Sequence, residues 1–213
     1  MKVRVFLNGE KYLGKPENAD YTIACDGGYK YCQENGIKPD LVLGDFDSLG
    51  FVPNNSETYS CVKDFTDGEG SVEKISSFAT EVVFYNFGGG REDHFYGNLS
   101  LLIKAENLNI KAKGVTNNCQ IYFVKDTIKL NGVKNKTITI APFGECAHIL
   151  SGRGLAYSVD DTIFLEDRTL GISNVATEDC VELTLKSGKI FVFVVKENVW
   201  EFFVLNYLRH FQN

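Results

Sequence analysis

"DLVLGDFDS" (residues 40–48) decides how the first half of this 213-residue chain folds. Leu41, Val42 and Leu43 form an unbroken apolar run with no polar alternation. Strands buried on both faces read this way, and they belong to parallel sheets covered by helices. Gly44 then lets the chain turn, and two acids, Asp45 and Asp47, flank Phe46. A buried strand that ends on two mutually repelling carboxylates makes either a plain polar turn or half of a metal site. The neighbouring sequence has to separate the two.

The same texture recurs on both sides of that stretch. "VRVFL" (3–7), "YTIAC" (21–25), "TYSCV" (58–62), "EVVFYNF" (81–87) and "IKAKGV" (110–115) are further apolar runs. Helical spacing lies between them. "YKYCQEN" (29–35) stops at Gly36; "GSVEKISSFA" (70–79) aligns Val72, Ile75 and Phe78; "DHFYGNLSLLIKAEN" (93–107) aligns Leu99, Leu102 and Ile103. Residues 1–120 are therefore expected to form an α/β domain with a mostly parallel sheet. From 121 to 197 short runs such as "QIYFV", "TIKL", "AHILS", "LAYSV", "ISNVA", "CVELTLKSG" and "KIFVFVVK" are separated by turn residues, and several alternate. That pattern predicts an all-β sandwich domain. In residues 198–213 a stripe of Trp200, Phe203, Val204, Tyr207, Leu208 and Phe211 predicts a C-terminal helical tail, packed on the protein's own surface or at a dimer contact.

Composition narrows the function classes. The net charge is −6 and no Lys/Arg cluster outvotes it, which argues against nucleic acid as a partner. No run approaches the ~18 apolar residues of a membrane span. The apolar run in "MKVRVFLNGEKY" is too short for a signal-peptide core. Six cysteines (25, 32, 61, 119, 146, 180) are scattered without a Cys-x-x-Cys, so reduced thiols and a cytoplasmic location are expected. Three histidines, none close to a cysteine, make a zinc site unexpected.

Parallel sheets bind ligands at the carboxyl ends of their strands. There the sequence places Asp26-Gly27-Gly28; Gly44-Asp45-Phe46-Asp47; Lys63-Asp64-Phe65-Thr66-Asp67-Gly68-Glu69; and Gly88-Gly89-Gly90-Arg91-Glu92-Asp93-His94. Six aspartates on one edge would stay partly protonated unless a cation neutralised them. Hard divalent cations take oxygen ligands, and Mg2+ shares carboxylates with substrate phosphates. The glycine turn opens a helix, whose free N–H groups attract phosphate. Arg91 adds a forked donor. Each motif alone is an ordinary turn. Together they predict Mg2+- and nucleotide-dependent phosphoryl chemistry.

"DGG", "GDFDS", "KDFTDGE" and "GGREDHFYGNL", in this order and spacing, resemble the thiamine pyrophosphokinase family. "SGRGLAYSV" (151–159) and "GISN" (171–174) extend the resemblance, which runs from about residue 20 to 195. It implies transfer of a pyrophosphoryl group from ATP to thiamine with Mg2+. It also implies a homodimer whose active sites are shared between the α/β domain of one chain and the β domain of the other. By position, Asp45, Asp47 and Asp67 resemble the metal-handling acids, with Asp93 similarly placed for catalysis. Asp26, Gly27, Asp64, Thr66, Gly89, Arg91, His94 and Asn98 resemble nucleotide or phosphate contacts. Tyr157, Ser173 and Asn174 resemble thiamine contacts, and Tyr157 stands where the family usually has tryptophan.

Two further departures matter. Gly68 and Gly70 stand where the family usually has better helix formers, so a loose helix start is expected, at about 1 kcal/mol per interior glycine. The tail after residue 197 is an addition. Three rivals remain at this level: a pyrophosphokinase for another hydroxymethyl heterocycle such as a pterin, a metal phosphohydrolase, and a non-catalytic thiamine or nucleotide sensor.

Overall fold

The computed structural model describes residues 1–47 and 49–196. The chain divides into two units, Met1–Asn117 and a second that begins at Asn118. The helix expected over 198–213 lies outside the described residues.

The first unit contains strands β1 (Lys2–Phe6), β2 (Tyr21–Cys25), β3 (Leu41–Gly44), β4 (Ser56–Thr58), β5 (Glu81–Tyr85) and β6 (Lys111–Val115), with helices α1 (Gly28–Glu34), α2 (Asp67–Ile75) and α3 (Glu92–Asn107). The strand order is β6-β5-β1-β2-β3-β4, and every adjacent pair is parallel. The chain steps outward from β1 to β4, then returns to the far side of β1 for β5 and β6. Strand order therefore reverses between β1 and β5, the kind of position at which open α/β sheets take their ligands.

The unbroken apolar runs are explained by cover on both faces. Phe6, Ala24, Val42, Val83 and Tyr85 pack with Tyr31 and Cys32 of α1. Alternation sends Cys25 to the opposite face, where its thiol donates to the carbonyl of Asp67 at 3.5 Å and so holds the start of α2.

Three expectations need correction. β4 ends at Thr58, so "TYSCV" is mostly connector; Tyr59 leaves the sheet and packs edge-on against Phe65 (centroids 5.3 Å apart). The buried face of α3 is Leu101, Leu102 and Ala105, while Leu99 and Ile103 are half-buried. The start of α2 is tight, not loose. A Cβ on Gly70 would sit 2.7 Å from the Tyr59 ring, and one on Gly68 would sit 2.9 Å from Leu101. These glycines are close-approach positions, and that packing outweighs their poor helix propensity.

The second unit holds two antiparallel sheets. One has the order β12 (Asn174–Val175), β9 (Thr137–Pro142), β14 (Ile190–Val195), β7 (Cys119–Val124); the other has β11 (Thr162–Leu165), β10 (Cys146–Arg153), β13 (Cys180–Ser187), β8 (Thr127–Asn131). Both sheets feed one core: Val124, Ile138, Ile140, Ile190 and Val192 meet Ala147, Ile149, Phe164, Val181 and Leu183. This is the expected sandwich. "LAYSV" is a loop rather than a strand, with an isolated bridge between Leu155 and Ala176. No helix among the described residues is long and apolar enough to cross a membrane.

Candidate active site

Because all strands of the first sheet run the same way, their carboxyl ends share one edge. Along it the order β5-β1-β2-β3 brings together the glycine turn, Asn8, Asp26 and the Asp45–Asp47 pair. Phe46 explains how the acids are presented. Its ring is buried in the core with Tyr31 and Val42, so Asp45 on one side is half-buried and Asp47 on the other is exposed. Phe46 has φ 61° and Asp26 has φ 45°. Left-handed backbone in non-glycine residues costs of order 1–3 kcal/mol and gathers at functional sites. Gly44 allows the approach: a Cβ there would lie 3.2 Å from the Cα of Asp26.

The result is a trio. Carboxylate oxygens of Asp26, Asp45 and Asp47 lie within 4.8 Å of one another. Asp26 is only 7% exposed, and Asn8 Nδ2 donates to its Oδ2 at 3.1 Å. Three hard oxygen donors at this spacing suit a divalent cation. The sequence grouped Asp67 with Asp45 and Asp47; the structure brings Asp26 into that group instead.

Asp67 is tied in differently. Lys63 Nζ lies 3.3 Å from Asp45 Oδ2 and 3.2 Å from Asp67 Oδ1. The contact to Asp67 is an ion pair to an oxygen that is otherwise buried without a partner. Burial pushes the Asp67 carboxyl above its usual range, against the pull of Lys63 and with the help of the Asp45 and Asp26 charges. Burial also works to raise Asp45, but the Asp47 amide and the Lys63 ammonium outweigh it and hold that carboxyl low. One lysine thus faces two acids poised in opposite directions. Thr66 caps α2, accepting from the Glu69 amide at 3.2 Å. Asp64 is exposed and lines a shallow cavity of about 260 Å³ with Tyr59, Phe65, Glu69, Glu73 and Lys104.

At the glycine turn, Gly89 and Gly90 are exposed with φ 80° and 82°. Arg91, the N-cap of α3, and Asp93 are exposed and paired with each other at 3.1 and 2.5 Å. That pairing holds Asp93 down at about 2. His94 is exposed. Asn98 donates to the Phe87 carbonyl at 2.7 Å, which fastens α3 to the end of β5.

In the second unit the three candidate vitamin residues are connected. Tyr157 is 61% exposed. Buried Asn174 clasps its backbone: Oδ1 accepts from the Tyr157 amide at 3.1 Å, and Nδ2 donates to the Tyr157 carbonyl at 2.7 Å. The same Oδ1 accepts from the Val175 amide at 2.8 Å. Ser173, exposed with φ 60°, donates its amide to Thr139 Oγ1 at 3.1 Å. Asn174 therefore positions the Tyr157 loop, while Tyr157 and Ser173 offer free faces.

Sequence reasoning missed Asn8 and Lys63. Asn8 follows β1 in an Asn-Gly pair that reads as a plain turn, although the strand-end rule covers it equally. Lys63 begins the "KDFTD" stretch, where only the acids and Thr66 stand out by resemblance.

Comparisons with known proteins agree with this layout. Residues 15–113 match the family model of the thiamin pyrophosphokinase catalytic domain, and residues 125–190 match that of the thiamin pyrophosphokinase vitamin B1 binding domain. Thiamine pyrophosphokinase of Bacillus subtilis is 28% identical over 189 residues, covering 81% of this chain and 88% of that protein. Thiamine pyrophosphokinase 1 of Oryza sativa is 24% identical over 185 residues, covering 75% and 67%. The fold is shared with the crystal structure of the Bacillus subtilis thiamine pyrophosphokinase (TM-score 0.82, 22% identity, 92% of this chain and 100% of that chain). It is also shared with the yeast enzyme (TM-score 0.73, 15% identity, 91% and 86%). With both halves of one two-domain family matched in order on the two units, this chain belongs to the thiamin pyrophosphokinase family.

Proposed function

We propose that this protein transfers the pyrophosphoryl group of ATP to the primary hydroxyl of thiamine, giving thiamine diphosphate and AMP. The observation that carries the reading is the Asp26–Asp45–Asp47 trio beside the strand-order reversal of the first sheet. The oxygen donor set fits Mg2+, with Asp26, Asp45 and Asp47 as holders and Asp67 next to them. When bound, the ion would neutralise charge on the transferring phosphoryl groups and orient them.

The protein's own groups do the rest by positioning. Gly89, Gly90 and the start of α3 offer backbone N–H groups to phosphate, and Arg91 can exchange Asp93 for a phosphate oxygen. Asp64 and Thr66, just before α2, and His94, in the first turn of α3, stand exposed as further nucleotide contacts. The thiamine oxygen attacks the β-phosphorus, the bond to the AMP oxygen breaks, and a carboxylate takes the hydroxyl proton. The exposed Tyr157 ring suits the planar cationic vitamin by stacking and cation–π attraction, with Ser173 beside it. The protein acts as a homodimer, the acids of one chain serving the vitamin loop of the other.

One assay tests the reading. Protein, ATP, Mg2+ and thiamine should yield AMP and thiamine diphosphate in equal amounts. AMP without thiamine diphosphate would mean another acceptor, such as a pterin alcohol. Inorganic phosphate alone would mean a hydrolase, and binding without turnover would mean a sensor.

A further inference from the structure

Lys63 stands where a cation is needed. Its ammonium bridges Asp45 and Asp67. Its side chain is only 12% exposed, and the ammonium lies 5.8 Å from the centroid of the Tyr59 ring. Asp45 is also a member of the carboxylate trio. An ammonium held at Asp45 Oδ2 and a divalent cation ligated by the same carboxylate compete for its negative charge. Asp67 Oδ1 meets the same ammonium at 3.2 Å as an ion pair. One ammonium thus serves two carboxylates, each through a single contact.

We propose that Lys63 is a placeholder cation: it holds Asp45 and Asp67 in the metal-free protein and must release Asp45 before a divalent ion binds the trio. The inference rests on the metal reading given under Proposed function and adds a positioning role for a residue outside the trio. It has a functional consequence. A free divalent ion meets a site already partly neutralised, so it binds weakly. An ion arriving with a nucleotide brings phosphate charge that can draw the ammonium away. Lys63 thus couples metal entry to nucleotide entry, and a bare metal ion does not fill the edge on its own.

The test measures Mn2+ binding to the intact protein by electron paramagnetic resonance, without nucleotide and with a non-hydrolysable ATP analogue. Lys63→Met should bind Mn2+ about tenfold more tightly than wild type without nucleotide, the scale expected when one like charge leaves a partly solvated cluster. The strengthening by the analogue should shrink. Lys63→Arg, which keeps the charge, should stay near wild type. The wild-type chain supplies an independent readout that needs no variant. Acetylation of Lys63, followed by mass spectrometry, should speed up when Mg2+ and the analogue are added together. Mn2+ binding in Lys63→Met that is equal to or weaker than wild type overturns the placeholder role while leaving the metal site intact. Unchanged acetylation of Lys63 overturns it as well. Absence of Mn2+ binding to wild type, even with the analogue, removes the metal reading and this inference with it.

Discussion

The carboxyl edge of the first unit crowds Asp26, Asp45 and Asp47 within 4.8 Å and leaves an Asp67 oxygen without a hydrogen bond. The Tyr157 loop of the second unit does the opposite. It spends the Asn174 amide on backbone partners and leaves an aromatic ring 61% exposed. The first region stores unfavourable charge that a ligand would relieve. The second stores none and presents a preformed surface. On the proposed function, the first region would handle a highly charged substrate by relief of its own charge, and the second a planar one by display of a preformed surface. Mutations in the two regions should separate accordingly: charge changes at the edge should destroy turnover and spare stability, while truncations at the loop should weaken binding and cost stability.

The largest effect is expected at the edge. Asp45→Asn or Asp47→Asn should lower the rate of AMP and thiamine diphosphate formation by about a thousandfold or more, since each removes a charge from the oxygen set. The melting temperature should change little, because relief of repulsion within the trio offsets the lost charge contacts, for Asp45 those with Lys63 and the Asp47 amide. A variant with near-normal turnover at saturating Mg2+ would break the comparison on its electrostatic side.

Next comes a mixing experiment that uses both regions. An Asp45→Asn chain keeps an intact Tyr157 loop. A chain carrying Tyr157→Ala and Ser173→Ala keeps intact acids. Each alone should be nearly inactive. If the proposed shared-site homodimer forms, subunit exchange makes about half of the dimers mixed, each regaining one of its two sites, so activity should recover to roughly a quarter of wild type by symmetry counting. Demonstrated exchange without recovery would mean that each site is built within one chain.

The two regions also differ in how they read in the sequence. The acids are legible because a single rule, that ligands gather at the strand ends of a parallel sheet, is enough to put Asp26, Asp45 and Asp47 on one edge. Lys63 is not legible, because nothing in "KDFTD" says that the lysine folds back between two acids. Asn174 is half-legible. Resemblance marks it as a vitamin residue, but its amide is taken by the Tyr157 backbone, a long-range pairing that no local pattern reveals. Tyr59 misled the strand assignment because an aromatic beside Thr58 looks like sheet. Its ring instead fills the space left by Gly70.

At the loop the effects should be intermediate. Tyr157→Ala should raise the thiamine KM about tenfold with little change in ATP binding, within the range of an aromatic–cation contact. Tyr157→Trp should be tolerated. Asn174→Ala leaves the Tyr157 amide and carbonyl and the Val175 amide without this partner, at about 1–3 kcal/mol. It should raise the thiamine KM as well, and the two changes should combine less than additively if Asn174 acts through Tyr157. Fully additive KM effects would return Asn174 to direct contact with the vitamin.

The smallest effect tests how tightly the edge is supported from behind. Helix propensity alone predicts that Gly70→Ala gains about 1 kcal/mol. The packing predicts the reverse. The new Cβ would sit 2.7 Å from Tyr59 Cε2 and 2.8 Å from its hydroxyl oxygen, and overpacking of this kind costs about 1–3 kcal/mol. Tyr59 is not free to swing aside, because its ring meets Phe65 edge-on and lies beneath the Lys63 ammonium. The net expectation is a melting temperature lowered by a few degrees, at about 2–4 °C per kcal/mol for a chain of this size. Turnover should fall by a small factor as Tyr59 presses on Lys63. A raised melting temperature with unchanged turnover would show that the ring yields. The acidic edge would then be held by its own charges rather than by the helix packed behind it.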